Sequence, residues 1–151
     1  MKNLTKILSV LVLALGIFII MPKTEVYAAP PATPVTHYEI TGMTDQDGFN
    51  KNEFYNFPGN AIETDDTIYI ATNQLGQGKV DITLDGISRN FQEVKSTPII
   101  ETTSYGRVVA GWNNVYKIDG LTIGMHTIKF TCSGTNSPYT VKTTTATVNK
   151  L

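Results

Sequence analysis

The chain has 151 residues, of which 41% are apolar, with 12 basic and 13 acidic side chains and a formal net charge of −1. That is the length of one ordinary domain, with enough apolar material for a single core. The near balance of charge excludes the basic patch that nucleic acid requires. A single cysteine, Cys132, excludes an intramolecular disulfide, so the core alone must hold the fold.

Lys2 and Lys6 precede a run from Ile7 to Met21 in which only Ser9 is polar, and the stretch after Pro22 ends in Val26-Tyr27-Ala28-Ala29. A basic start, a short apolar helix and a small-residue end are the order of a secretory signal peptide. The apolar run is shorter than the roughly twenty residues that span a bilayer. Residues 1–28 are therefore predicted to be a signal peptide cut after Ala28, an uncleaved anchor being the alternative. Loss of Lys2, Lys6, Lys23 and Glu25 leaves the mature chain a net charge of about −3. The expected product is secreted, without stable membrane insertion. A signal of this style and the near absence of cysteine point to a Gram-positive bacterium.

Pro30, Pro31 and Pro34 make residues 29–34 a proline-rich spacer. From residue 35 to 151 the pattern is strands and turns, one all-β domain with no helix of consequence. Met43 to Asp66 does not read as strand, and it gathers Phe49, Phe54, Tyr55 and Phe57 among acids and asparagines. Loops of this length in compact domains tend to be functional. Thr67 to Asn73 is a β-branched strand. Val80, Ile82 and Leu84 alternate with polar residues, and Asp85-Gly86 supplies a type I′ turn to the returning strand, whose apolar anchor is Phe91. Pro98 to Thr103 reads as an edge strand. Arg107 to Trp112 and Val115 to Ile118 read as two strands parted by Asn113-Asn114. Ile128, Phe130 and Cys132 alternate on the next strand. The last begins with Tyr139 and Val141 apolar but ends with Ala146 and Val148, a phase flip that predicts a bulge or a change of partner.

The stretch Tyr116-x-Ile118-x-Gly120-Leu121-x-x-Gly124-x-His126-x-Ile128-x-Phe130 resembles the corner and following strand of bacterial immunoglobulin-like modules. Tyr38-x-Ile40-x-Gly42, Leu75-Gly76-x-Gly78, Gly111-Trp112, Tyr116, Gly120, Gly124 and Asn136-Ser137-Pro138 follow an order similar to the YolA type of small exported Bacillus proteins. That resemblance implies size, export and fold, and it transfers no active-site residue. The fold expected is an immunoglobulin-like two-sheet sandwich, with a partly open barrel as the alternative.

Asp45, Asp47 and Glu53 are the candidate calcium ligands, because calcium takes six to eight oxygens and this segment is rich in them. The spacing departs from the helix–loop–helix calcium pattern, and an Asx-rich turn is the bland alternative. Cys132 and His126 lie six residues apart on one predicted strand, hence roughly 20 Å apart, which excludes a dyad. Cys132 is expected to be a buried, inert thiol. Neither His37 nor His126 has a Cys or acid beside it at zinc spacing. Trp112 is expected either to pack across the two sheets or to offer a platform for a sugar ring. The candidate binding residues are Asn52, Tyr55, Phe57 and Trp112. The functional expectation is a secreted, non-catalytic module that binds a protein or a cell-surface glycan, calcium-assisted in one variant. A small extracellular hydrolase or a hydrolase inhibitor is the rival.

Overall fold

A computed structural model describes residues 33–55, 62–64, 66–89, 91–104 and 106–151; for 62–64 only the backbone is described. The predicted signal peptide, most of the spacer and Phe57 lie outside these residues. Nine strands and one short helix follow in the order β1 (His37–Thr44), α1 (Gln46–Lys51), β2 (Ile62–Thr64), β3 (Thr67–Leu75), β4 (Gly78–Leu84), β5 (Ile87–Ser88), β6 (Gln92–Thr103), β7 (Gly106–Asp119), β8 (Gly124–Gly134) and β9 (Val141–Lys150).

The strands form two sheets, β1-β3-β7-β6 and β2-β9-β8-β4-β5. All pairings are antiparallel except that of β2 with β9. The order matches the A-B-E-D and C-F-G sheets of immunoglobulin domains, with β5 as an added edge strand and β2 as a short parallel one. The expected two-sheet sandwich is what the chain adopts, and the sheets do not close into a barrel.

Alternation puts Ile68 and Ile70 of β3, Tyr116 and Ile118 of β7, Ile82 and Leu84 of β4, and Ile128, Phe130 and Cys132 of β8 into one core between the sheets. Each fully buried aliphatic side chain contributes about 1.5–3 kcal/mol relative to an exposed one. The predicted turn is present, with Asp85 and Gly86 at φ 52° and 80°, but the returning strand expected from Ile87 to Val94 is only Ile87–Ser88: Phe91 lies in the connection and Gln92 begins β6.

Three further expectations are corrected. The stretch from Arg107 to Ile118 is a single strand, β7, because both asparagine amides find partners: Asn113 receives a bond from Asn73, and Asn114 receives one from Ser96 and donates to Tyr116. β9 pairs β8 without a bulge; its phase flips because Val141, like Tyr139 ahead of it, faces solvent. The segment from Met43 to Asp66 is not one irregular loop. Met43 and Thr44 end β1, Gln46–Lys51 is helical, and Ile62–Thr64 is β2. Phe49 stacks on Tyr69 of β3 at 4.1 Å, Phe54 meets Phe49 edge-on, and the Tyr69 hydroxyl donates to Gln46 Oε1 at 2.5 Å. These aromatics therefore pack the helix onto the outer face of the first sheet.

Two glycines separate backbone strain from crowding. A Cβ at Gly86 meets nothing within 4 Å, whereas one at Gly111 would lie 1.9 Å from the Gln74 carbonyl oxygen of the neighbouring strand. Gly86→Ala is expected to cost about 1 kcal/mol through its left-handed backbone. Gly111→Ala is expected to cost at least about 3 kcal/mol, since β3 and β7 must part. Denaturant unfolding of the two variants measures the difference; equal costs would contradict the close approach of these strands.

Candidate functional site

The sandwich is open along one side. β5 pairs only with Thr83 and Leu84, so the first half of β4 has no outer neighbour and faces the edge strand β6 across a gap. There lies a cleft of about 500 Å³, walled by Gln74, Val80, Phe91, Glu93, Trp112 and Asn114 among others. It falls within the size range of small-molecule sites.

Register explains why polar side chains face inward here. Across the first sheet, Tyr38, Gln74, Trp112 and Pro98 form one row and Ile40, Thr72, Asn114 and Ser96 the next. A third joins Met43, Ile70, Tyr116 and Glu93. Opposed residues share a face. A bulge at Val94, where pairing jumps from Glu93–Tyr116 to Lys95–Val115, lets both Glu93 and Ser96 look into the cleft despite their opposite parity.

The polar groups are ordered by one another. Ser96 Oγ donates to Asn114 Oδ1 at 2.7 Å, and Asn114 Nδ2 donates to the Tyr116 hydroxyl at 3.2 Å. Gln74 Nε2 donates to the carbonyls of Gly76 and Gly78, which leaves Oε1 without a partner among the described residues. Burial pushes the Tyr116 phenol up to about 12, opposed by the bond from Asn114 and reinforced by the Glu93 carboxylate. Tyr116 is thus a neutral donor throughout the physiological range. Burial likewise raises the Cys132 thiol to about 11, and this thiol is fully buried, as expected of an inert cysteine.

The sequence-predicted residues divide between two places. Trp112 is half-buried on the inner face and lines the cleft, outside the core proper. Asn52 caps α1 in a left-handed conformation on the outer face of the same sheet, where Lys95 Nζ donates to its Oδ1 at 3.4 Å. Tyr55 pairs with Met43 through its backbone and leaves its side chain 57% exposed. The structure therefore does not bring Trp112 together with Asn52. Of the calcium candidates, Asp45 is the helix N-cap and accepts from the Gly48 amide at 2.7 Å, while Asp47 sits in the first turn and Glu53 is exposed beyond the helix. Among the described residues no group of three His, Cys, Asp or Glu side chains could hold a metal ion. Sequence reasoning missed Gln74, Ser96, Asn114 and Glu93. The available signal was that Thr72 and Gln74 continue the inward phase of Ile68 and Ile70, so the inner face of β3 turns polar halfway along.

Fold and site together define an immunoglobulin-type sandwich with a polar, aromatic-walled cleft along its open edge. The chain belongs to the family described as a domain of unknown function, DUF4879, which it matches over residues 29–148. No curated protein and no solved structure matches it.

A second cluster stands away from the cleft. His126, 8% exposed, meets Asp85 Oδ2 through Nδ1 at 2.7 Å and the Thr122 carbonyl oxygen through Nε2 at 2.7 Å, with the Thr122 hydroxyl at 3.3 Å. Aspartate, histidine and a hydroxyl in a line are the parts of a nucleophilic triad, but that chemistry needs Nε2 as an acceptor. Here Nε2 faces a carbonyl, which only accepts, so Nε2 carries a proton and is no base, and the ring clamps the β4–β5 turn to the corner before β8. Neither histidine has an acid at zinc spacing in the sequence; His37 meets Glu39, its neighbour along β1, and the fold brings Asp85 to His126.

The bond to Asp85, then that to Thr122, raises the His126 pKa, and the bond to His126 with that from the Thr127 amide lowers the pKa of Asp85. The imidazolium contribution is fully present below the ordinary value of about 6.5 and is lost as pH rises through the raised one. The Asp85 contribution is present above the usual carboxylate range and is lost as pH falls through the lowered value. Melting temperature is expected to fall as pH rises above the ordinary histidine range, and His126→Gln to flatten that slope. A slope that persists in the variant would assign it to another group.

Proposed function

We propose that this chain is an exported, non-catalytic binding protein whose ligand, a component of the cell surface, sits in the open-edge cleft. The observation that carries the reading is the polar half of an inner sheet face. Inner faces of sandwiches pack apolar side chains, and buried polar groups are retained at a cost unless they are bonded. Gln74, Asn114 and Tyr116 are all at least nine-tenths buried and line a cavity open to solvent. Two features support export: the order of the first 28 residues, and a family match that starts at residue 29, the first of the predicted mature chain.

Binding is read by co-sedimentation of the mature protein with purified cell-envelope fragments. Trp112→Ala is expected to reduce it at least about tenfold, as loss of a central aromatic anchor does. Asn52→Ala and Tyr55→Ala are expected to leave it unchanged. The opposite pattern would move the site to the outer face. All three variants should keep unfolding free energies within about 1 kcal/mol of wild type, as changes at partly exposed positions do.

Export is read from the intact mass of protein recovered from the medium, which is expected to correspond to a chain beginning at Ala29. Recovery only with residues 1–28 attached would refute cleavage.

A further inference from the structure

We infer that the cleft takes a neutral, polyhydroxylated ligand: a saccharide whose ring lies against Trp112 and whose hydroxyls bond the polar rows of the first sheet. The inference rests on the cleft being the binding site, and it specifies what that site selects.

The polar groups set the chemistry. Among the described residues Gln74 Oε1 is an acceptor without a partner and the Trp112 indole N–H has no acceptor, while Tyr116 keeps a proton to donate. Farther along the same rows, Tyr38 pairs with Gln74 and Thr72 with Asn114. Tyr38 and Thr72 are 6% and 0% exposed, their two hydroxyls face one another, and neither residue lines the cleft. A hydroxyl both donates and accepts, so a ligand rich in hydroxyls satisfies the mixed set of Gln74 Oε1, the Trp112 N–H and the Tyr116 hydroxyl. An apolar guest would strand the same groups and lose the cost of each.

Charge narrows the choice further. Among the described residues Glu93 is the only charged side chain lining the cleft, with no Lys, Arg or His beside it. An anionic guest would meet a carboxylate with no cation to offset it. The flat faces of Trp112 and Phe91 supply apolar surface for the ring carbons.

Trp112 is the only tryptophan, so its emission reports on the cleft directly. The mature protein is titrated with a panel of neutral hexose and N-acetylhexosamine tetrasaccharides, with uronate-bearing counterparts of equal length, and with amine-bearing ones. At least one neutral sugar is expected to shift the emission saturably, and its uronate counterpart to bind at least about tenfold more weakly. Glu93→Gln is expected to narrow that gap to within about threefold, whatever it does to either affinity alone. Trp112→Ala, followed by calorimetry, is expected to lose the binding. Equal or tighter binding of the uronate sugar overturns the inference, as does response to the amine-bearing sugars alone. If an apolar dye moves Trp112 emission and no sugar does, the cleft stands as a site and the saccharide is refuted. If nothing moves it while envelope binding persists in Trp112→Ala, the cleft reading itself fails.

Discussion

Tyr116 is where the two sheets are joined. Its ring lies 5.7 Å from Phe130 of the opposite sheet and 5.4 Å from Phe91, which sits in the connection crossing between the sheets. With one cysteine in the chain, no covalent bond can do this work. Aromatic pairs of this geometry contribute about 0.5–1.5 kcal/mol beyond their burial. The same residue stands at the boundary between two regimes. On one side of it, Ile70, Ile118, Ile82 and Ile128 form a dry core. On the other, its hydroxyl begins the chain of bonds through Asn114 to Ser96 that lines the cleft. Stability and site are thus anchored on opposite ends of one side chain.

That division explains how an open-sided sandwich stays closed elsewhere. On the far side, β1 approaches β9, and Thr140 Oγ1 donates to the Val35 carbonyl at 2.6 Å, sealing the edge. On the cleft side, β6 runs the length of the first sheet while β5 covers only one end of β4. The mismatch in strand length leaves the gap. Pro98, midway along β6, has no N–H to offer and helps keep this free edge from pairing with another chain.

Much of the fold was legible because it rests on local rules. Alternation marked β4 and β8, and Asp85-Gly86 marked the hairpin, since few residue pairs tolerate two positive φ values. The site was hidden because it rests on register. Asn113-Asn114 carries a strong turn signal, and only partners 18 and 40 residues away keep it in a strand. Glu93 and Ser96 have opposite parity, and nothing local shows that a bulge at Val94 turns both inward. The helix over Tyr69 has six residues, too few to display a helical period, so its aromatics read as loop decoration when they are packing. Asp85 and His126 are 41 residues apart and meet only because β4 pairs with β8.

The short parallel pairing of β2 with β9 has a kinetic meaning. β9 lies inside its sheet, between β8 on one side and β2 on the other, and the Val35–Thr140 bond ties residues 105 positions apart. β2 therefore has no strand to pair with until residues 141–150 are in place. Domains closed by such distant pairings fold slowly, because the loop entropy is lost before the contacts return it. The last strand of the chain, with Thr140 just ahead of it, is thus also the one on which both β2 and the Val35 carbonyl close.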